Sequence, residues 1–204
     1  MTAFTDAAVA IALTLLVLPL IDTVRDAAAE HPPASLHTLL HVHARDFFAF
    51  TLSFVVIARF WRVHRRLFDS LAHLDEGLVT ATLAWLFGIV FLPVPTAALV
   101  VAEDAGRGAS ALYAMNLAFI ALTALVLTVW IARRPGLWES EADGEHLRTA
   151  VPRSTGATVL MAATVPFALW LGQWALLLLV LLGPVQRLAE WLAGRAGHRQ
   201  TAKS

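Results

Sequence analysis

Long apolar runs alternate with short polar connections along the whole chain. Six runs approach or exceed the length of about 20 residues that a helix needs to cross a bilayer. They cover residues 3–22, 43–63, 77–101, 109–132, 154–171 and 173–192. Because unpaired backbone groups are costly in lipid, we expect these runs to be helices rather than strands or loops. The pattern therefore predicts an all-α integral membrane protein, with six transmembrane helices in a single domain of residues 1–204.

Single residues within these runs predict where the helices bend and how they pack. Proline lacks a backbone N–H, so Pro93 and Pro95 are expected to break or bend the third helix, and Pro166 to kink the fifth. Asn116 and Gln173 are isolated amides in apolar surroundings, and we expect them to hold neighbouring helices together by hydrogen bonds.

The composition supports this class and excludes several others. Hydrophobic residues make up 58% of the chain and charged residues 15%, against roughly 25% charged in soluble domains. A disordered chain is excluded, and an ordinary soluble enzyme is disfavoured. The chain has no cysteine and a net charge of zero, so it offers no thiolate chemistry and no sign of nucleic-acid binding.

The distribution of positive charge predicts the topology. Of the 15 Lys and Arg residues, only Arg25, Arg45 and Arg107 fall on one side of the six predicted helices. The other twelve lie on the opposite side, which the positive-inside rule assigns to the cytoplasm. Both termini are then cytoplasmic. The charged stretch 139–145 on that side is predicted to be a solvated loop, with Arg133, Arg134 and Arg148 around it.

The first apolar run also allows a different interpretation, that of a cleaved signal peptide. Three alanines at positions 27–29 follow the run, as a cleavage site requires. A signal peptide begins with positive charge, whereas the first six residues carry only Asp6. We therefore favour a permanent helix.

One face of this first helix combines apolar and polar positions. Ile11, Leu15, Leu18 and Asp22 are spaced to form one stripe, and Thr14 borders it. A leucine-rich helix has such a stripe in any case, and a membrane threonine often bonds its own backbone. The alternative is a pore, in which apolar rings form constrictions, threonine hydroxyls meet ions and the carboxylates attract cations.

Other polar residues leave similar choices open. Asp6 is expected either to cap the first helix or to anchor it by a buried hydrogen bond. The basic stretch 59–66 is most simply a positive-inside anchor with Trp61 at the interface, the alternative being a lipid-headgroup site. Four histidines cluster on the outer side, before and at the start of the second helix. They are expected to lie in a solvated loop, with a metal site or a pH sensor as alternatives: His31, His37, His41 and His43.

Motifs of enzymes and transporters are absent from the sequence. It has no Walker A loop, no GxGxxG, no HExxH and no GxSxG. No repeat with a period of 20–50 residues stands out, and neither does an inverted repeat. The protein is therefore not expected to be an enzyme or to require a cofactor.

Four stretches of the sequence resemble one channel family. Helix one carries F-T-D at residues 4–6 and A-I-A-L-T-L-L-V-L at 10–18; similar matches follow at 53–68, 91–96 and 111–116. These stretches resemble the bacterial relatives of the endolysosomal potassium channel, transmembrane protein 175. The family has serine where Thr5 stands here, and its pattern begins with an arginine that has no counterpart, which leaves Asp6 to find another partner.

The resemblance implies a fold, an assembly and a function. It implies a homotetramer in a bacterial plasma membrane, with a central pore lined by helix one and no TVGYG filter. It implies a cation channel that is modestly selective for K⁺ over Na⁺ and binds no other cofactor. The alternatives are a proton-conducting channel and an alternating-access transporter.

The resemblance also assigns roles to residues of this chain. Ile11, Leu15 and Leu18 correspond to the constriction, and K⁺ passes in contact with Ile11 and Thr14. The stripe itself, rather than the resemblance, indicates Asp22 as the charge at the outer mouth. A structural hub at the base of helix one comprises Phe4, Thr5, Asp6, Trp61 and His64.

Overall fold

The computed structural model describes residues 1–29, 35–101 and 106–171, and all of its regular structure is helical. A 3-10 turn, Pro135–Leu137, precedes the last of the described helices. The eight α-helices in this part of the chain are α1 (Thr2–Leu15), α2 (Leu18–Ala29), α3 (Leu36–Val42), α4 (Ala44–Phe68), α5 (Glu76–Phe91), α6 (Pro93–Val101), α7 (Gly106–Ala132) and α8 (Glu141–Leu171).

Four stretches of this described part are long and apolar enough to span a membrane. They are Thr2–Ala29, Ala44–Phe68, Glu76–Val101 and Arg107–Ala132. These correspond to the first four predicted spans. The fifth prediction, 154–171, forms the second half of α8, and the sixth, 173–192, lies outside the described residues.

Proline divides two of these spans. The third span breaks at Leu92, immediately before Pro93, as predicted. The first span breaks at Leu16 and Val17, although the sequence pattern predicts one uninterrupted helix. Pro19 explains this break, because it has no N–H to donate to the Leu15 carbonyl and its ring crowds that oxygen.

The charged stretch after α7 is a helix rather than the predicted loop. α8 begins at Glu141, where the Ser140 hydroxyl accepts a hydrogen bond from the Asp143 N–H at 3.3 Å. Acidic residues in this first turn stabilise the helix by interacting with the positive end of its dipole. Gly144 packs so closely on Trp138 that an added Cβ would lie 2.1 Å from the ring. Together, the serine cap and this packing allow α8 to begin between three and four turns before the predicted start.

α7 is the central helix of the bundle. It packs against α5, α6 and α8, while α1 packs against α4 and α5. Tyr113, Leu117, Ile120 and Leu127 of α7 are fully buried. Asn116 donates to the Gly88 carbonyl at 3.0 Å, which confirms the expected helix-packing role of this amide.

A buried chain of hydroxyl groups joins three helices near the break before Pro93. The Ser53 hydroxyl lies 2.8 Å from that of Thr96 and 3.2 Å from that of Tyr113. Thr96 donates its own hydrogen to the Leu92 carbonyl at 2.8 Å, so it accepts from Ser53, which in turn accepts from Tyr113. The break is thereby tied to α4 and α7.

Candidate pore-lining face and its anchors

The stripe predicted on the first helix lies on the outer surface of the single chain. Ile11 is 59% exposed, Leu15 39% and Leu18 51%. Thr14 and Asp22 are exposed as well. The opposite face is buried against α4 and α5 and consists of Val9, Ala12 and Leu16. The first span therefore presents the predicted stripe to whatever surrounds the chain, either lipid or another subunit.

The break in the first span lies within this stripe. Ile11 and Leu15 belong to α1, whereas Leu18 and Asp22 belong to α2. At the break, the Val17 N–H bonds the Thr14 carbonyl at 3.2 Å, a tighter pattern than that of the α-helix. The stripe is therefore not a straight helical face, although its members all remain exposed.

The Thr14 hydroxyl has a defined orientation. It donates to the Ile11 carbonyl at 2.7 Å, as a membrane threonine commonly does. A hydroxyl oxygen also has two lone pairs, and these remain available as acceptors when its hydrogen is donated elsewhere. Thr14 therefore presents an oxygen, rather than an O–H, to a neighbour outside the chain.

Charges of both signs occur on α2. Asp22 lies 3.9 Å from the guanidinium of Arg25, and both side chains are well exposed. Such a surface pair contributes little to stability. Asp22, which the sequence assigns to the outer mouth, is therefore accompanied by a positive charge one turn further along the helix.

Polar contacts also hold α2 against α4. Thr23 donates to the Pro19 carbonyl at 3.0 Å and lies 3.4 Å from a carboxylate oxygen of Asp46. The same oxygen lies 3.1 Å from Nδ1 of His43. These contacts hold the α2 half of the first span against the start of α4.

Asp6 connects the start of α1 to the end of α4. The Trp61 indole N–H donates to Oδ1 of Asp6 at 2.7 Å, and Arg65 lies 3.6 Å from Oδ2. Arg65 also lies over the Trp61 ring, 5.7 Å from its centroid. The N-cap of α1 is Met1, without a side-chain hydrogen bond, so Asp6 does not cap the helix. Trp61 and Arg65 are thus the partners that the sequence left undetermined.

The other predicted hub residues are distributed around this contact. Thr5 is buried and donates to the Met1 carbonyl at 3.2 Å, while Phe4 is exposed. His64 is buried between two aromatic rings, with centroids 4.3 Å from Phe68 and 4.2 Å from Trp85. The structure thus brings Asp6 and Trp61 into direct contact, while Phe4 points away from the bundle.

Asp6, Trp61 and Arg65 form one set of an aspartate, a tryptophan and an arginine in contact. A second set of the same residue types was not predicted from the sequence. Asp75 accepts hydrogen bonds from the Trp130 indole at 3.1 Å and from Arg134, and Arg134 lies 4.2 Å over the Trp130 ring. In both sets the aspartate precedes its tryptophan by 55 residues. The arginine follows four residues later, and the second set lies 69 residues after the first. This repeated spacing is visible in the sequence, but its period is longer than the 20–50 residues that are typical of repeat proteins.

Asp75 also caps α5. Its carboxylate accepts from the Leu78 N–H at 2.7 Å. This backbone hydrogen bond, the bond from Trp130 and the charge of Arg134 together hold the pKa of Asp75 below its usual value. Gly77 lies directly beneath the Trp130 ring, where an added Cβ would lie 2.2 Å from a ring carbon. The carboxylate therefore organises the contact between α5 and α7.

The predicted histidine-rich loop is partly helical. His37 and His41 lie on α3 with their rings 4.9 Å apart, and His43 contacts Asp46. Within the described residues no three metal-ligating side chains come together. His31 lies outside the described residues.

Comparisons with known proteins give consistent results. The family described as the endosomal/lysosomal potassium channel TMEM175 matches residues 1–93. A protein of Streptomyces collinus (strain DSM 40733 / Tue 365) named as a potassium channel is 30% identical over 149 residues, which cover 72% of this chain and 70% of that protein.

A solved structure has a similar fold. It is the crystal structure of a lysosomal potassium-selective channel TMEM175 homologue from Chamaesiphon minutus, with a TM-score of 0.71 and 23% sequence identity. The match covers 91% of this chain and 95% of the solved one.

Proposed function

The chain belongs to the TMEM175 family of potassium channels, and from this premise we propose that four copies form a K⁺-conducting pore in a bacterial plasma membrane. The pore is lined by α1 and α2 of each subunit. The observation that carries the proposal is the outward-facing stripe of Ile11, Leu15 and Leu18, with the Thr14 oxygen beside it.

The positions of the anchors support this arrangement. Asp6 holds the start of α1 against α4, and Thr23 and Asp46 hold α2 against the same helix. Both anchors involve side chains outside the stripe, so they leave Ile11, Leu15 and Leu18 exposed. A pore helix needs this combination, because its back must be fixed while its front meets the ions.

Apolar side chains form the proposed constriction. Four Ile11 side chains form a narrow ring that loses its water when closed and passes ions when dilated. Leu15 and Leu18 extend the narrow zone by about 10 Å, given a rise of about 1.5 Å per residue. The turn at Leu16 and Val17 allows the two halves of this zone to differ in radius.

Thr14 supplies the proposed ion contact. Its hydroxyl hydrogen is committed to the Ile11 carbonyl, so its oxygen faces the pore as an acceptor. Four such oxygens replace only part of the water around a cation. Since Na⁺ holds its water more tightly than K⁺, entry into the apolar zone favours K⁺, and the selectivity is modest.

The proposed orientation places both termini in the cytoplasm. α2 then ends towards the outer mouth, where its negative dipole end and the Asp22 carboxylate favour cations over anions. Arg25 weakens this effect because it lies 3.9 Å from Asp22.

Planar-bilayer recording of the purified protein under a K⁺/Na⁺ gradient tests the proposal. We expect discrete current steps that reverse towards the K⁺ potential. Saturable flux without steps would instead indicate a transporter, and current driven by a pH gradient without K⁺ would indicate a proton channel.

Two substitutions test the residue assignments. Ile11→Ala should raise conductance or open probability, whereas Leu83→Ala, at a position 48% exposed on α5, should leave both unchanged. Thr14→Val should shift the reversal potential towards that of a non-selective channel. Equal effects of the two alanine substitutions would show that Ile11 does not form the constriction. An unchanged reversal potential in Thr14→Val would show that Thr14 does not contact the ion.

A further inference from the structure

Three arginines form a stripe along the last turns of α4. Arg59, Arg62 and Arg66 are spaced i, i+3 and i+7, so they share one face of the helix. All three are exposed. We call this set the arginine stripe.

None of these guanidinium groups forms an ion pair within the described part of the chain. Arg25, Arg65 and Arg134, by contrast, each lie beside an aspartate. An arginine has five N–H donors in a planar fork that matches the oxygens of a phosphate. The arginine stripe therefore offers up to fifteen donors that the fold itself does not need.

The same face of α4 becomes apolar towards the middle of the membrane. Val55 lies one turn before Arg59 on this face and is 57% exposed. Val63, beside the stripe, is 44% exposed. A surface that changes from apolar to cationic along the membrane normal has the same order of polarity as a lipid, with its acyl chains followed by its phosphate.

The length of the stripe fits the headgroup region. Arg66 lies seven positions after Arg59, which is about 10 Å along a helix. The headgroup layer on each side of a bilayer is about 5–8 Å thick, and arginine side chains extend along the membrane normal to reach it. Trp61 lies between these arginines in the sequence and, being half-buried, suits the same interface.

We propose that the arginine stripe of α4 binds the phosphate of an anionic phospholipid, with the lipid's acyl chains lying along Val55 and the adjoining apolar surface. Charge complementarity favours this occupant over a second copy of α4, because two such stripes would repel each other. The proposal requires insertion in a membrane but not potassium conduction, so it stands or falls separately from the proposed function.

Thermal unfolding of the full chain in mixed micelles tests this inference. The probes are dioleoyl phosphatidylglycerol, which is anionic, and dioleoyl phosphatidylcholine, which is zwitterionic, at equal mole fractions. A ligand that binds only the native state raises its melting temperature, and the rise grows with the ratio of ligand concentration to dissociation constant. We expect phosphatidylglycerol to stabilise the wild type more than phosphatidylcholine does. Glycerol phosphate without acyl chains should give no shift.

The stripe variant combines Arg59→Gln, Arg62→Gln and Arg66→Gln. Each arginine near an anionic surface contributes a factor of about five in affinity. The mole fraction of phosphatidylglycerol needed for a given rise in melting temperature should therefore increase on the order of 100-fold. Its melting temperature in phosphatidylcholine should match that of the wild type, which shows that the variant folds. Arg62→Gln alone, with a shift of about fivefold, serves if the triple variant is unstable.

A matched control removes the same charge elsewhere. It combines Arg107→Gln on α7, Arg133→Gln directly after α7 and Arg153→Gln on α8, all three at exposed arginines. This control should keep the full response to phosphatidylglycerol. An equal loss of response in the control would overturn the proposal in favour of a general charge effect.

Other outcomes would also overturn it. Equal stabilisation of the wild type by the two lipids would show that the stripe does not recognise anionic headgroups. Dissociation of the stripe variant into smaller oligomers in phosphatidylcholine would show that this face contacts another subunit. A response to glycerol phosphate equal to that of the lipid would indicate a soluble phosphate compound as the ligand.

Discussion

The contact between Asp6 and Trp61 should contribute a measurable coupling free energy, because it joins two helices through one charged hydrogen bond. The indole N–H donates to the carboxylate at 2.7 Å. Hydrogen bonds to charged groups contribute about 1.5–3 kcal/mol in soluble proteins. Interhelical bonds in membrane proteins average about 0.6 kcal/mol, with a maximum of about 1.7. Since the Asp6 side chain is 38% exposed, we expect a coupling of about 1 kcal/mol.

Arg65 adds a smaller contribution to the same anchor. It lies 3.6 Å from Asp6, and its side chain is 52% exposed. Such an exposed pair contributes about 0.5 kcal/mol at most after screening by solvent. Asp6→Ala should therefore reduce the free energy of unfolding by about 1.5 kcal/mol in total.

A double-mutant cycle with Asp6→Ala and Trp61→Phe measures the coupling. Equilibrium unfolding in mixed micelles, titrated with sodium dodecyl sulfate and followed by circular dichroism, gives the four free energies required. The control pairs Asp6→Ala with Trp130→Phe, the tryptophan of the second set, and the two effects should add within about 0.5 kcal/mol. A coupling of Asp6 with Trp61 below about 0.3 kcal/mol would refute the anchor.

Three further predictions concern backbone and pH. Gly77→Ala should destabilise the chain by more than about 1 kcal/mol in the same unfolding assay, because its Cβ would lie 2.2 Å from the Trp130 ring. Gly156→Ala, with open space around the position, should be neutral or stabilising; similar losses in both would exclude the steric explanation. The lowered pKa of Asp75 means that its stabilising effect is present at neutral pH and is lost as the pH falls through the folded-state value. Below about pH 4, the melting temperature of Asp75→Asn should therefore depend less on pH than that of the wild type. An equal dependence in both proteins would show that Asp75 does not cause the loss of stability in acid. Pro19→Ala should supply an N–H for the Leu15 carbonyl and join α1 to α2; rapid hydrogen exchange at position 19 would show that the break has another cause.

The predicted spans succeeded where local pattern determines structure. A run of about 20 apolar residues has few alternatives to a helix in a bilayer. The break at Pro93 followed from the missing N–H of proline. The same reasoning applied to Pro19 would have located the break near Val17. The apolar residues around Pro19 instead led to the prediction of one uninterrupted helix.

Predictions that depended on partners were less complete. The helix from Glu141 was missed because charged residues suggested solvent, whereas Trp138 and the Ser140 cap stabilise a helix there. The pairing of Asp75 with Trp130 was also missed, although the repeated aspartate–tryptophan spacing of 55 residues was present in the sequence. Local periodicity carries no information over that distance.

By itself, the sequence determined the helical class, the first four spans and the family, since each depends on the order of apolar and polar residues along the chain. Only the tertiary structure decided which face of α1 is exposed and which residues hold Asp6 in place. The physical reason is that an ionisable residue in an apolar helix shows that a partner is needed, because its burial is costly. Which side chain meets that need depends on how helices far apart in sequence pack together.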